Sequence, residues 1–249
     1  MTNNTLKFNT INLRNKFYYK NTPYVSIVTV TNKLNYFDNI IENYNRLKYN
    51  NKELIIIFNI DNINIQHYNN YTKNLLNVRV FHIDEKYTLG YCLNFGISIS
   101  RYNYIAKMDD DDYYGANYLT DEINAFNYTD AKIIGKSSYF TYFEDTKEIG
   151  LNKNPTHKYV TSIAGGTLLF KKDLFKYHKF RPLNIGEDVS FLKDCFNHGI
   201  KIYSVDPFNY VYIRHKSLEE HSWKVPSQIL KNQYLKLYKI TDYVSIVKI

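Results

Sequence analysis

The first half of the chain alternates short, apolar, β-branched runs with segments of helical spacing. The runs at residues 24–31, 53–58 and 78–82 carry few polar residues, as strands buried on both faces of a parallel sheet do. Apolar residues recur every three or four positions over residues 35–47 and again over residues 90–100, which indicates helices. This rhythm predicts an α/β fold with a mainly parallel central sheet and helices on both faces.

A fourth predicted strand, at residues 103–108, ends on the four consecutive carboxylates of Asp109, Asp110, Asp111 and Asp112. Like charges repel, and none can be buried without a partner. Mg²⁺ and Mn²⁺ prefer oxygen ligands, and Mg²⁺ often takes one or two carboxylates together with substrate phosphates. Asp109 and Asp111 are expected to share a face, since residues two apart on an extended chain point the same way. We interpret the run as a metal-assisted site for a phosphorylated ligand, with a solvated acidic turn as the alternative.

Polar residues also follow the first and second strands. Open parallel sheets bind ligands beyond the carboxyl ends of their strands. That rule places Thr29, Thr31 and Asn32, then Asp61, on the same rim as the acidic run. Any one strand must end on something polar, but three such ends at one edge predict a binding site.

The second half is less regular, with further strands predicted at residues 131–138, 140–143, 201–205 and 210–213. Gly165 and Gly166 stand at the start of an apolar strand, where glycine indicates a bulge or a close approach of the backbone to another group. Glu187 and Asp188 open a helix, where acids are favoured by the helix dipole. The apolar residues predicted to share one face of this helix are Val189, Leu192 and Phe196.

The length and net charge of the chain limit the classes of binding partner that we expect. The chain has 249 residues, enough for one large domain, and a net charge of +8 with a pI of about 9.1. A basic balance fits phosphate-bearing partners such as nucleotide sugars or an anionic lipid surface. The basic residues are scattered, without an arginine-rich block or a basic helix, so no nucleic-acid partner is expected.

Cysteine use and hydropathy bear on the compartment. The two cysteines, Cys92 and Cys195, lack metal-ligand spacing and make no disulfide framework, which fits a reducing cytosol. No signal peptide is evident, and no apolar run approaches the ~20 residues that a membrane span requires. A cytoplasmic protein is expected, with attachment to the inner face of the membrane left open.

The predicted organisation is a polar lead-in at residues 1–21, a main domain at 22–225 and a tail or helix at 226–249. The pentapeptide Tyr-Val-Ser-Ile-Val occurs twice, at residues 24–28 and 243–247. These residue types are common throughout the chain, so the repeat is assigned no function.

Taken in order, these motifs resemble the family-2 glycosyltransferases of the GT-A fold over about residues 24–223, closest in pattern to bacterial enzymes that build surface or capsular polysaccharide. The pieces that carry the resemblance are the Thr and Asn turn after the first strand, Lys52–Ile57, Leu89-Gly90 with Leu93-Asn94, the four aspartates, Ala164-Gly165-Gly166, Gly186-Glu187-Asp188 and a late histidine. The resemblance implies a nucleotide-sugar donor, UDP-linked, a glycan or lipid-linked acceptor, and Mn²⁺ or Mg²⁺ as cofactor.

The resemblance also implies residue roles. Asp111 is the expected direct metal ligand, with Asp109 and His215 completing the shell; His221 is the alternative histidine. Asp109 and Asp110 reach the donor's ribose or the metal. The remaining donor-binding residues are expected to be Thr29, Thr31, Asn32, Asp61, Asn94, Gly165 and Gly166.

On the acceptor side, Asp188 is the expected general base, and Glu187 orients the acceptor or holds the loop. No second nucleophile is evident, which indicates single displacement with inversion. Trp223 is a candidate for stacking on a sugar ring, with core packing as the alternative. Two other classes stay open: a metal-dependent nucleotidyltransferase, and a non-catalytic glycan-binding or scaffold domain on the same fold.

Overall fold

A computed structural model describes residues 3–18, 22–217, 219 and 224–249; His221 and Trp223 lie outside the described residues. The helices are α1 (Asn3–Phe17), α2 (Phe37–Arg46), α3 (Ile65–Thr72), α4 (Leu89–Ile99), α5 (Tyr118–Ala125), α6 (Glu187–Asn197), α7 (Ser227–Lys231) and α8 (Val244–Val247). The strands of the first half are β1 (Val25–Thr31), β2 (Lys52–Phe58), β3 (Val78–His82), β4 (Tyr104–Lys107) and β5 (Tyr113–Tyr114). Those of the second half are β6 (Ile133–Gly135), β7 (Phe140–Phe143), β8 (Glu148–Asn152), β9 (Lys158–Val160), β10 (Leu169–Lys171), β11 (Ile202–Ser204), β12 (Tyr210–Arg214) and β13 (Tyr234–Lys239).

The central sheet has the strand order β3-β2-β1-β4-β10-β6-β11-β9. Strands β3, β2, β1 and β4 run parallel, as do β6 and β11, whereas β10 is antiparallel to both of its neighbours. The mainly parallel α/β sheet expected from the sequence is therefore confirmed.

The register of the sheet creates a recess at its carboxyl edge. Thr31 of β1 lies opposite Phe58 of β2, but Lys107, the last residue of β4, lies opposite Val28. Strand β1 thus extends three residues past the end of β4. The chain after β4 turns away beside this extension, and the acidic run occupies the recess.

Helices cover both faces of the sheet. Successive side chains of β1 point to opposite faces, so each face has its own core. Ile27 packs into a core formed with α2 and α5, and Val28 packs into a second core formed with α4 and α6. This arrangement holds the strand ends, and with them the recess, between two packed layers.

Helix α6 buries a different face from the predicted one. Leu192 is buried as expected, but Val189 is 61% exposed and Phe196 is 47% exposed. Phe191 and Cys195 are buried instead. The prediction was wrong for two residues because apolar side chains lie on both sides of this helix, and spacing alone could not choose between the two sides.

A second sheet, ordered β13-β8-β7-β12-β5, packs at one end of the first. Its core includes Leu6 of α1 and Val247 of α8, so both the predicted lead-in and the predicted tail contribute to it. The sequence predicted no element in the lead-in, where the structure forms a helix of 15 residues. Among the described residues, no helix combines the length and apolar character that crossing a membrane requires.

Candidate active site

A cleft of about 750 Å³ opens at the carboxyl edge of the central sheet, where the sequence predicted a binding rim. This volume is within the usual range for small-molecule sites. The predicted residues that line it are Asn32, Asp109, Asp110, Asp111, Gly165, Gly166, Glu187 and Asp188.

A buried lysine that the sequence analysis missed lies at the floor of the cleft. Lys107 donates a hydrogen bond from Nζ to Oδ1 of Asp109 at 2.5 Å. Burial lowers the pKa of Lys107, but the carboxylates of Asp109, Asp188 and Glu187 outweigh it and raise the pKa overall. Lys107 therefore stays charged. The signal in the sequence was a lysine closing an otherwise apolar strand, directly before the acidic run.

Asp110 is held by the end of β1. The hydroxyl of Thr31 donates to Oδ2 of Asp110 at 2.5 Å, and Nδ2 of Asn39 donates to the backbone carbonyl of Asp110 at 2.7 Å. Burial and the neighbouring Asp111 raise the pKa of Asp110 to about 7. Thr31 does not line the cleft itself, and its contact fixes a residue that does.

Asp111 faces His215, which immediately follows β12. Nε2 of His215 lies 3.6 Å from Oδ2 of Asp111, and Nδ1 lies 3.1 Å from Oε2 of Glu144. Burial lowers the pKa of His215, but Asp111 and Glu144 raise it by a larger amount. The ring also packs against Tyr36, with the centroids 5.3 Å apart. Glu144 thus orients the imidazole through Nδ1, and Nε2 faces Asp111.

This arrangement fits a divalent cation. Two atoms that bind one Mn²⁺ or Mg²⁺ at roughly 2.1 Å each lie no more than about 4.2 Å apart, and Asp111 and His215 satisfy that limit. A carboxylate on the second ring nitrogen, here Glu144, is the usual partner of a ligating histidine. Burial raises the pKa of Asp109 and Asp110, and neighbouring carboxylates add to the increase.

Asp112 has a structural role in the fold. Its carboxylate accepts hydrogen bonds from Tyr210 Oη at 2.6 Å and from the backbone N–H of Ile213 at 3.0 Å. Its backbone carbonyl accepts from Asn39 and Asn43. Asp112 is 1% exposed, so it anchors the acidic run to β12 and α2.

The two adjacent glycines explain how the acids approach one another. A Cβ atom built on Gly165 would lie 1.8 Å from Oδ2 of Asp188, and one on Gly166 would lie 2.6 Å from Oδ2 of Asp109. Tyr114 fixes this turn, since its hydroxyl donates to the Gly166 carbonyl and accepts from the Asp109 N–H, both at 2.7 Å. The close approach predicted for this pair of glycines is the approach of two carboxylates.

Glu187 and Asp188 open α6 at the opposite wall. Gly186 before them has φ +78°, which lets the chain turn sharply into the helix. Glu187 is 4% exposed, and burial raises its pKa to about 7 although Lys107 opposes the shift. Asp188 is partly exposed, accepts a hydrogen bond from the N–H of Val189 at 2.7 Å, and makes no ion pair within the described chain. A carboxylate of this kind is available to take a proton.

Three predicted donor-binding residues besides Thr31 do not line the cleft. Thr29 is buried in β1. Nδ2 of Asn94 donates to the carbonyl of Phe180 at 2.8 Å, and Oδ1 accepts from the N–H of Phe180 at 3.0 Å. This geometry does not support a contact between Asn94 and a donor. Asp61 accepts from the N–H of Glu85 at the exposed end of the rim. The cleft is lined there by Asn59, Ile60 and Glu85.

An open, mainly parallel sheet with an acidic recess beside a central strand defines a glycosyltransferase of the GT-A class. The family model described as Glycosyl transferase family 2 matches residues 26–222. The chain therefore belongs to glycosyltransferase family 2, as its motifs predicted.

Solved structures agree with this fold. Staphylococcus aureus TarS 1-349 in complex with UDP-GlcNAc superposes with a TM-score of 0.62 at 14% identity, covering 78% of this chain and 59% of that one. TarS 1-349 without a named ligand gives 0.60 at 15%, covering 76% and 60%. The longer TarS chain gives 0.60 at 15%, covering 76% and 36%. This chain thus spans less than two thirds of each relative. A comparison with curated protein sequences found no match.

Proposed function

We propose that this protein transfers a sugar from a nucleoside-diphosphate donor, UDP-linked, to a hydroxyl group of a glycan or lipid-linked acceptor. Membership of family 2 supports the reaction class. The likeness of the fold to TarS, which was solved with UDP-GlcNAc and with UDP, supports a uridine-linked donor.

One observation carries the proposal. The turn at Gly165 and Gly166 brings Asp188 from one wall of the cleft and Asp109 from the other to adjacent positions. A ligand seated over this turn contacts a free carboxylate on one side and the acidic run on the other. A sugar diphosphate matches this arrangement. Its anomeric carbon would lie on the side of Asp188, and its two phosphates would lie on the side of the acidic run, where a bound cation would neutralise them.

Each side chain of the cleft has a separate role in the proposed reaction. Asp188 takes the proton from the acceptor hydroxyl as its oxygen attacks the anomeric carbon. Asp111 and His215 would hold Mn²⁺ or Mg²⁺, which neutralises charge on the departing diphosphate. The Lys107 ammonium group donates to Asp109 beneath them. A single attack of this kind inverts the configuration at the anomeric carbon.

The substitution Asp188→Asn tests the base. It should reduce transfer by at least about a hundredfold, the usual contribution of a positioned general base. Binding of UDP in the presence of Mn²⁺, measured by calorimetry, should change little, because Asp188 contacts the acceptor side. Asp173→Asn, an exposed carboxylate outside the cleft, is the control and should leave both measurements unchanged. Loss of UDP binding in Asp188→Asn would assign this residue to the donor instead.

The same calorimetry separates the enzyme from a non-catalytic scaffold. A transferase of this kind should lose most of its UDP affinity when Mn²⁺ is removed, whereas a scaffold domain should bind equally well without the ion. Family membership gives nucleotidyl transfer no support. Metal-dependent hydrolysis measured across a set of nucleotide sugars would then identify the donor, and the UDP-linked assignment fails if only other nucleotides are turned over.

A further inference from the structure

The outer side of α6 and the loop beside it carry apolar and basic side chains, of which only Ile185 also lines the cleft. We propose that this surface docks on an anionic lipid bilayer. It is called the docking face, and it consists of Lys176, Tyr177, Lys179, Leu183, Ile185, Val189, Lys193 and Phe196. The inference rests on the proposed function in one respect, since it places the active site where a lipid-linked acceptor would lie.

Large apolar side chains are concentrated here. Tyr177 is 85% exposed, Ile185 and Val189 are each 61% exposed, Phe196 is 47% exposed and Leu183 is 41% exposed. Single exposed apolar residues are ordinary on protein surfaces. Five within 20 consecutive residues are not, and exposed apolar side chains concentrated in this way mark a candidate interaction surface.

Two contacts hold the loop against the second half of α6. The His178 ring lies 5.0 Å from the ring of His198 beyond the helix end, and Arg181 pairs with Asp194 inside the helix at 2.9 Å. Tyr177 therefore lies beside the far end of α6, and the residues after Arg181 lead back toward its beginning.

The beginning of α4 widens this surface. The N–H of Gly90 donates to the carbonyl of Leu183 at 3.0 Å, and a Cβ on Gly90 would lie 1.8 Å from the carbonyl oxygen of Arg181. Next to this contact, Tyr87 and Tyr91 stack with centroids 4.4 Å apart, and both are exposed. Tyrosine rings of this kind suit the headgroup level of a bilayer, because an apolar ring carries a polar end.

The exposed lysines of the docking face favour an anionic membrane as its binding partner. Lys176, Lys179 and Lys193 are exposed between the apolar side chains and form no ion pair within the described residues, whereas the acid Asp194 is paired with Arg181. Lysine is depleted in the centre of protein–protein interfaces. Lysine interleaved with apolar residues instead fits an anionic membrane surface, which binds the charge and the apolar side chains together.

The docking face lies beside the cleft, so membrane binding would bring a lipid-anchored acceptor close to Asp188. Helix α6 is 11 residues long, beginning with Glu187 and Asp188 in the cleft and ending at Asn197. A bilayer in contact with this helix lies next to the base. A hydroxyl group carried at headgroup level on a lipid anchor could then reach Asp188 without leaving the membrane.

Co-sedimentation of the full chain with vesicles tests the inference. Vesicles of phosphatidylcholine with phosphatidylglycerol should sediment the protein, and phosphatidylcholine alone should sediment far less. Lys179→Glu/Lys193→Glu should bind roughly 25-fold more weakly, at about fivefold for each lysine near the surface. Tyr177→Ser/Phe196→Ser should weaken binding by at least about tenfold, because two apolar side chains no longer enter the bilayer.

Matched controls lie elsewhere on the surface. Leu76→Ser, at a side chain that is 78% exposed, and Lys153→Glu should bind vesicles like the parent protein. Calorimetric UDP binding should be unchanged in all variants, so a failure of docking can be told from a failure of the proposed sugar transfer. Absence of sedimentation with anionic vesicles overturns the inference. So does concentration-dependent self-association that Tyr177→Ser/Phe196→Ser abolishes without any vesicle binding, since the occupant would then be a second copy.

Discussion

At the residue scale, the chain after β4 divides its acids between chemistry and structure. Asp111 faces His215, while Asp112 is used entirely by Tyr210 and backbone groups. The sequence could predict that four adjacent carboxylates need partners. It could not assign those partners, because Tyr210 and His215 lie about a hundred residues further along the chain. Lys107 was missed for the same reason, since its contacts with Glu187 and Asp188 exist only in the folded state.

Glu122 is a second buried acid, outside the cleft. It is 0% exposed in α5, and burial raises its pKa to about 8 although Lys136 opposes the shift. In the unfolded chain its pKa is near the ordinary 4.5. Between these values the folded state holds a proton that the unfolded state has released, so this residue makes stability fall as pH rises from about 5 to about 8.

Glu122→Gln should therefore lose that dependence. Relative to the parent protein, the variant should gain stability as pH rises through this window, by at most about 1.4 kcal/mol per pH unit. Urea unfolding at several pH values measures the difference. Glu42→Gln on α2, where the carboxylate is 70% exposed, is the control and should leave the trend unchanged. A constant difference between variant and parent would mean that Glu122 is ionised in the fold.

At the element scale, local sequence predicted the strands of the parallel sheet well because each is a continuous apolar run. The repeated pentapeptide shows the limit of that approach. Residues 25–28 belong to β1, between two partner strands, whereas residues 244–247 form α8, with Asp242 accepting from the N–H of Val244 at 2.9 Å. The same four residues, Val-Ser-Ile-Val, thus adopt both structures, and their neighbours in the fold decide which.

The glycine turn offers an element-scale prediction. Neither Gly165 nor Gly166 has a positive φ, so alanine is compatible with the backbone. Gly165→Ala should displace Asp188 and reduce transfer at least about tenfold with little effect on UDP binding. Gly166→Ala should displace Asp109 and weaken metal-dependent UDP binding.

Parallel transfer assays and calorimetry on the two variants measure this split. Thermal unfolding serves as the control, and both variants should remain folded. Equal effects of the two substitutions on both readouts would refute the division of the turn between base and donor.

At the scale of the whole molecule, α1 is bound to the body by one buried ion pair. Arg14 donates from Nε and Nη2 to the two carboxylate oxygens of Asp121 at 2.7 and 2.8 Å, and Asp121 is 5% exposed. Local sequence did not predict this helix as a core element, because few of its residues are apolar and the ion pair supplements the buried side chains of Leu6 and Phe17. A contact separated by 107 residues is invisible to local pattern.

Arg14→Ala should destabilise the protein by about 3–5 kcal/mol, because it leaves the Asp121 carboxylate buried and unpaired. Arg14→Ala/Asp121→Asn should recover part of the loss. Arg181→Ala, which removes a pair with Asp194 at the surface, should cost at most about 1 kcal/mol. Urea unfolding compares the three, and an equal cost for Arg14→Ala and Arg181→Ala would show that α1 contributes little to the global fold.

Lys107 has a consequence for the catalytic cycle as a whole. Its ammonium group belongs to a strand in the middle of the sheet and cannot depart with spent nucleotide. In the transfer that we propose, the cleft would keep this positive charge among its acids after the nucleotide has left. The charge would limit the repulsion among Asp109, Glu187 and Asp188, so the arrangement of these side chains would persist from one donor to the next.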